Sequence, residues 1–337
     1  MGGGLGNDPV EVGNGYVAWQ KDGKVQRRAL TGGEVVAVRD QLPTGISRIL
    51  ADGSVKMKDE DRTALNAISP SYADPSWAGD MTVGEDNDNG VVYFFNNNLN
   101  SLSRIWQGIT TLNPKAAADG SGNYAVAAWS DRRGGETVRV AVVKKGTTST
   151  PTSQSNPSAA VDATPGWLGD LAFDTKNNKW LVVSKHDGPI YGRIMGNDGN
   201  AITDVFKISS DELTGGWSPL VAYSKDADKF LVVWVDYSNG WNLYGRFVSS
   251  DKSMGNQFKI NSVNPYMNIG GDRTSSIQYD SKNKKFVIIW ENREGRHSAV
   301  FTTIELDGKQ GPSVELTDGE NSGINGPSIA VNEDKNE

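Results

Sequence analysis

Aromatic, acidic and basic side chains recur in this chain on either side of short apolar runs. Three tryptophans precede such a run, namely Trp77, Trp167 and Trp217. Residues with similar chemistry follow one, namely Asp131, Arg133, Asp236, Tyr237, Trp241, Asn292 and Arg293. An indole covers the apolar face of a pyranose ring, and carboxylates, amides and guanidinium groups hydrogen-bond to its hydroxyls. These residue types therefore suit carbohydrate binding.

The composition excludes several other chemistries. There is no cysteine among the 337 residues, which excludes disulfides, thiolate catalysis and cysteine-ligated metals. A catalytic triad or a zinc site would have to use one of only two histidines, His186 and His297. The net charge of −7 disfavours nucleic acid and anionic membranes as partners. No apolar stretch is long enough to span a membrane, and residues 1–9 lack the features of a signal peptide.

The apolar runs are copies of one another. KFLVVW at 229–234 is nearly repeated as KWLVVS at 179–184 and KFVIIW at 285–290, with looser copies at 15–19, 91–95 and 125–129. Nearly continuous apolar runs of this length predict strands that are buried on both faces. Around the copy at 230–234, further runs at 219–223, 243–248 and 257–260 complete four antiparallel strands, A to D, in about 50 residues.

The repeat predicts a single all-β domain over residues 1–337, a β-propeller of six or seven four-stranded antiparallel blades. The segment 40–76 is either a degenerate blade or an insertion, and it contains a strand–turn–strand hairpin at 45–57. Residues 144–163 predict a loop-rich insertion. The segment 328–332 repeats the strand A pattern. It either closes the ring by pairing with 15–19 or opens a blade that the chain does not complete.

Because successive strands alternate in direction, the D–A connections and the B–C turns lie on one face. The three tryptophans and the seven residues that follow the apolar runs are predicted to lie on this face. A tryptophan that recurs at one repeat position also fits a second role, as a wedge between blades. The other face carries acidic A–B turns at 85–89, 174–178 and 224–228, whose oxygens are of the kind that calcium takes. Because lysines intrude and the calcium-loop spacing is missing, solvated turns are preferred and no cofactor is predicted.

The pattern LVVW-x-D, then YGR, then F-x-I resembles the blade repeat of secreted and cell-surface β-propeller proteins of bacteria and archaea, over roughly residues 77–337. The resemblance implies a propeller fold in an extracellular setting, and it carries no catalytic residue with it. Together with the residue types on the predicted loop face, this predicts a module that binds carbohydrate or a surface protein. Residues 7–19 are similar to the opening of five-bladed glycoside hydrolases, which implies Asp8 as a general base. A surface scaffold without a small ligand is the third alternative.

Overall fold

The computed structural model describes residues 11–13, 16–21, 24–29, 34–40, 46–49, 55–57, 72–78, 81–86, 91–96, 102–107, 111–119, 124–131, 137–144, 161–238, 240–260, 265–266, 276–292 and 298–315. Within these ranges the regular elements are β-strands, and no helix there has the length and apolar character needed to cross a membrane. The sequence DEDRTALNA at 59–67, which predicts a short helical fragment, lies outside them.

The chain divides into two compact units. Unit 1 comprises Met1–Thr63, Trp241–Leu243 and Ile260–Glu337, and unit 2 comprises Ala64–Gly240 and Tyr244–Lys259. In unit 1, sheet I consists of β1 (Glu11–Gly13), β2 (Tyr16–Lys21), β3 (Lys24–Ala29) and β4 (Val36–Asp40). A hairpin follows, made of β5 (Ile46–Ile49) and β6 (Val55–Met57).

Unit 2 holds four successive sheets, each formed by four strands in chain order. Sheet II contains β7 (Tyr72–Ala78), β8 (Met81–Asp86), β9 (Val91–Asn96) and β10 (Leu102–Gln107). Sheet III contains β11 (Thr111–Ala118), β12 (Tyr124–Asp131), β13 (Thr137–Lys144) and β14 (Val161–Pro165). Sheet IV contains β15 (Trp167–Asp174), β16 (Lys179–Lys185), β17 (Ile190–Gly196) and β18 (Phe206–Lys207). Sheet V contains β19 (Gly216–Ser224), β20 (Lys229–Asp236), β21 (Asn242–Val248) and β22 (Phe258–Ile260), the strand β21 beginning within the short stretch assigned to unit 1.

Sheet VI, in unit 1, is built around β25 (Lys285–Asn292). One edge of β25 pairs with β23 (Pro265–Tyr266) and β24 (Ser276–Asp280), and the other edge pairs with β26 (Ser298–Glu305), which is followed by β27 (Val314–Glu315). All pairings in these sheets are antiparallel. Successive four-stranded antiparallel meanders are the blades of a β-propeller, so the predicted fold class is confirmed.

Sheet II corrects one strand assignment. The run at 91–95 was expected to be the second strand of its blade, but β9 is the third strand, because β7 at 72–78 precedes β8. The run at 91–95 has the composition of a second strand, but its place in the sheet is set by the pairing of β8 with β7. The first strand β7 carries a two-residue bulge at Asp74–Pro75, which recurs at Asn113–Pro114 in β11 and Ser218–Pro219 in β19. Trp77 lies after this bulge and Trp217 lies before it, so the two tryptophans are not equivalent. The position of Trp217 is held by Ala73 in sheet II.

The strand β16 belongs to two hydrophobic cores at once. Its residues are buried from Trp180 to Ser184. Trp180 and Val182 pack with sheet III residues such as Val138, whereas Leu181 and Val183 pack with sheet V residues. The period of two in a strand explains this division. Since burying one such side chain contributes about 1.5–3 kcal/mol, the continuous apolar run is the main source of stability between neighbouring sheets.

The YGR signature ties neighbouring sheets together. The Arg193 guanidinium donates to the carbonyls of Thr203 in its own sheet (2.8 Å) and Asp162 in sheet III (3.0 Å). Arg246 repeats the arrangement, donating to Gly255 O at 2.8 Å and to Ile208 O of sheet IV at 2.7 Å. An arginine presents its donors in a fixed planar fork, which is why this residue type recurs at a position that must reach two carbonyls at once.

Other expectations lie partly outside the described residues. The predicted hairpin at 45–57 is confirmed by the antiparallel pairing of β5 with β6. Residues 145–160 are not described, but the end of the expected insertion at 144–163 is already strand β14. The segment 328–332 is also outside the described residues, so ring closure by this segment stays a prediction. Because β2 already pairs with β1 at residues 16–18 on one edge and with β3 on the other, a closing strand would have to lie next to β1.

Candidate functional site

The candidate site is the loop face of unit 2, defined here as residues 164–167, 185–189, 213–217 and 235–238. Glycines allow the backbones of its neighbouring loops to touch. A Cβ atom at Gly188 would lie 1.7 Å from the carbonyl oxygen of Thr214, and one at Gly215 would lie 2.5 Å from the nitrogen of Ser238. Real side chains do not tolerate such distances, so the B–C turns and the D–A connection between sheets IV and V form one closely packed layer.

Asp236 is the anchor of this layer. Its side chain is fully buried, and its carboxylate accepts hydrogen bonds from the backbone N–H groups of Gly215 (3.2 Å) and Ser238 (2.9 Å) and from the Ser238 hydroxyl. A second contact joins the same loops, because Tyr237 donates its N–H to the Gly215 carbonyl at 3.0 Å. The structure therefore gives Asp236 a positioning role beneath the surface, in place of the direct ligand contact predicted from the sequence.

Two aromatic side chains stand exposed above that anchor. Trp217 is 37% exposed and Tyr237 is 47% exposed. The Lys185 Nζ lies 4.0 Å from the centroid of the Trp217 ring, a cation–π contact between sheets IV and V. Trp217 thus combines the two roles weighed from the sequence, since it packs against the preceding sheet and still presents indole surface to solvent. Trp167 holds the equivalent position in sheet IV, as the first residue of β15, and is half-buried.

The remaining predicted site residues are placed as follows. Asp131 is the last residue of β12 and Asn292 the last of β25, both at the B–C ends of their strands. Trp77 lies inside β7 rather than in the connection before a first strand. Trp241 is 47% exposed and belongs to the short segment assigned to unit 1. Arg133, Arg293 and the alternative general base Asp8 lie outside the described residues.

Sheet IV breaks the repeat at this face. Strand pairing makes Ser184, Lys185 and His186 equivalent to Trp234, Val235 and Asp236 of sheet V. The reason for losing the aspartate is visible in the partner loop, because Pro165 stands where Gly215 stands in sheet V, and proline has no N–H to donate to a buried carboxylate. His186 is therefore released from the anchoring role. Its side chain is 37% exposed, and its Nε2 lies 3.5 Å from Oδ2 of Asp187.

The acidic turns at 174–178 and 224–228 on the opposite face are occupied by the protein's own donors. The predicted A–B turn at 85–89 connects the second and third strands of sheet II, so it is a B–C turn. Asp174 accepts from the N–H groups of Lys176 and Asn177, both at 2.9 Å, and from the Ser250 hydroxyl of sheet V. Burial raises the pKa of Asp174, but these hydrogen bonds outweigh it and hold the pKa below its usual value. Asp280 repeats the turn in sheet VI. Among the described residues, no group of three or more acidic or histidine side chains has the geometry to hold a metal ion.

Asp170 is a feature that the sequence reasoning missed. It lies on β15, the first strand of sheet IV, and accepts the N–H of Leu171 at 2.9 Å and that of Val221 on β19 at 3.1 Å. Burial raises the pKa of Asp170 from 3.8 to about 6, although the nearby Lys115 and the two N–H donors act to lower it. In the strand register, Lys115 of sheet III and Asp170 of sheet IV are equivalent to Leu220 of sheet V. Lys115 and Asp170 therefore place two charges at a position that is apolar in sheet V.

Comparison with known proteins gives similarity in fold only. Neither the protein-family models nor the curated protein sequences gave a match to this chain. Among solved structures, hydrazine synthase of Kuenenia stuttgartiensis is 11% identical and aligns over 91% of this chain and 79% of its own, with a TM-score of 0.48. A putative TolB from Agrobacterium tumefaciens is 12% identical over 79% of this chain and 87% of its own, with a TM-score of 0.46. The Dos1 propeller is 11% identical over 75% and 65% of the two chains, with a TM-score of 0.48. No activity, ligand or partner is transferred from these proteins.

Proposed function

We propose that this protein is an extracellular binding module that takes a carbohydrate or the glycan of a surface partner on its loop face. The observation that carries the proposal is the pair of exposed aromatic side chains, Trp217 and Tyr237, on loops that glycine packing and the buried Asp236 hold rigid. Flat rings that need little further ordering suit stacking against sugars. The resemblance of the blade repeat to that of secreted and cell-surface proteins supports the extracellular setting.

The experiment is a glycan-array screen, followed by calorimetry with the best ligand. We expect Tyr237→Ala to weaken binding by about 1–3 kcal/mol, the usual effect of removing a stacking contact, without a large change in melting temperature. Ile202→Ala is the matched control, because Ile202 is an equally exposed apolar side chain (50%) beyond the C–D turn of sheet IV. If Tyr237→Ala and Ile202→Ala bind alike, the ligand does not sit on the loop face.

A second assay separates binding from catalysis. The protein is incubated with each glycan that binds, and released reducing sugar is measured. Under the binding proposal no sugar is released. Release that disappears in Asp8→Asn would contradict the proposal and support the glycoside hydrolase that the N-terminal resemblance implies. An array without any bound glycan would leave the surface-scaffold alternative in its place.

A further inference from the structure

We propose that the ligand of the loop face is an acidic glycan, with the Lys185 ammonium binding its carboxylate while Trp217 and Tyr237 contact its rings. This inference rests on the proposed function and adds the ligand's charge to it. It is carried by the B–C turn of sheet IV, where the repeat is broken, and by the position of Lys185 against Trp217.

The broken repeat is the first observation. In sheet V the three residues that end β20 are all buried, Trp234 and Val235 in the core and Asp236 as the anchor. In sheet IV the equivalent residues are Ser184, which donates to the Pro165 carbonyl at 2.8 Å, and then Lys185 and His186. The tryptophan and the aspartate of the repeat are thus replaced by Ser184 and His186, and Lys185 occupies the variable position between them. Departures from a repeat's own rules are expected where function, rather than folding, selects the residue.

The second observation is the geometry of Lys185. Its Nζ lies 4.0 Å from the ring centroid of Trp217, so the ammonium is held beside an exposed aromatic surface instead of extending into water. An ammonium carries three N–H donors, and a charge-assisted hydrogen bond to a carboxylate is about twice as strong as a neutral one. A ring that contacts the aromatic residues and bears a carboxylate would use both features together. A uronic acid has this combination.

The surrounding charges favour a local interaction. Asp236, a buried carboxylate of the loop face, accepts hydrogen bonds from three donors. Asp187 is 87% exposed, and its Oδ2 faces His186 at 3.5 Å. The whole chain carries a net charge of −7, so it does not attract polyanions in general. Binding of an acidic glycan would therefore depend on the few basic side chains placed at the site.

The test compares oligogalacturonides with their fully methyl-esterified forms, which keep the same rings and lose the charge. We expect the acids to bind roughly five- to tenfold more tightly than the esters, the effect of one partly desolvated charge-assisted contact. Lys185→Met should reduce the affinity for the acids to that for the esters, and Lys185→Arg should keep most of the preference. Lys225→Met is the control, because it removes the same charge from an exposed lysine on an A–B turn at the opposite ends of the strands.

The outcomes separate the two proposals. Equal affinity for acids and esters, with both weakened by Tyr237→Ala, would overturn the charge assignment and leave the proposed carbohydrate binding in place. A preference for acids that survives in Lys185→Met, or that is lost equally in Lys225→Met, would also overturn the inference. If neither the acids nor any glycan on the array binds, both proposals fail. Melting curves of each variant show whether any loss of affinity comes from unfolding.

Discussion

The ionisation of Asp170 is predicted to lower the free energy of unfolding as the pH rises from about 4 to about 7. Its pKa is about 6 in the folded chain, against 3.8 for an ordinary aspartate. The folded state therefore holds the proton more tightly than the unfolded state. As the pH rises from about 4 to about 6, the unfolded chain loses this proton first, and the contribution of Asp170 to the free energy of unfolding falls. Above pH 6 both states are ionised and the full destabilisation is present.

The magnitude follows from the difference of about two pKa units, each worth about 1.4 kcal/mol, which gives an upper value of about 3 kcal/mol. Because Asp170 is only half-buried, solvent screening reduces this figure, and we expect about 1–2 kcal/mol. Asp170→Asn cannot ionise but keeps one carbonyl oxygen to accept the N–H of Val221. The free energy of unfolding of Asp170→Asn minus that of the wild type should therefore increase by this amount between pH 4 and pH 7.

The assay is urea unfolding followed by tryptophan fluorescence at several pH values between 4 and 7. Taking the difference between variant and wild type cancels the titration of all other groups. Ile202→Ala, at an exposed side chain that does not ionise, is the matched control. Lys115→Met removes the nearby positive charge and should move the transition to higher pH. A variant-minus-wild-type difference that is constant from pH 4 to pH 7, or that decreases, would refute the reasoning.

Two further predictions concern stability. Asp236→Ala should lower the free energy of unfolding by about 1–3 kcal/mol, because it leaves the buried N–H of Gly215 without its acceptor. Asp204→Ala, at an exposed aspartate beyond the C–D turn of sheet IV, should have little effect in the same urea titration. Arg246→Lys should lower the free energy of unfolding by about 1–2 kcal/mol, because an ammonium cannot donate in the guanidinium's planar geometry to the carbonyls of both Gly255 and Ile208. An unfolding midpoint equal to that of the wild type would show that this arginine does not stabilise the contact between neighbouring sheets.

The strands could be predicted from the sequence because each one is specified locally. The apolar run KFLVVW and its close copies are bounded by polar turns, so the strands β20, β16 and β25 can be predicted from the sequence alone. The error in sheet II has a different cause, because the composition of the run at 91–95 does not show how many strands of its sheet precede it; the pairing of β8 with β7 decides that.

The site could be predicted only in part, because burial of a polar residue depends on partners that are distant in sequence. Asp236 and Tyr237 are adjacent and look alike as surface residues, yet one is fully buried and the other 47% exposed. The difference comes from Gly215, 21 residues earlier, which donates to Asp236. One available signal was overlooked: the repeat reads Trp-x-Asp in sheet V but Ser-Lys-His in sheet IV, and Pro165 replaces Gly215 at the same point.

The double use of β16 also bears on how such a chain grows in evolution. Trp180 and Phe230 are 50 residues apart and occupy the same position in consecutive sheets. Because every second side chain of one strand faces the preceding sheet and the others face the next, a single duplicated segment carries both halves of an interface. A tandem copy is therefore complementary to its parent on either side from the moment it arises. The gain or loss of one whole sheet is then easier to accommodate than the insertion of part of a sheet.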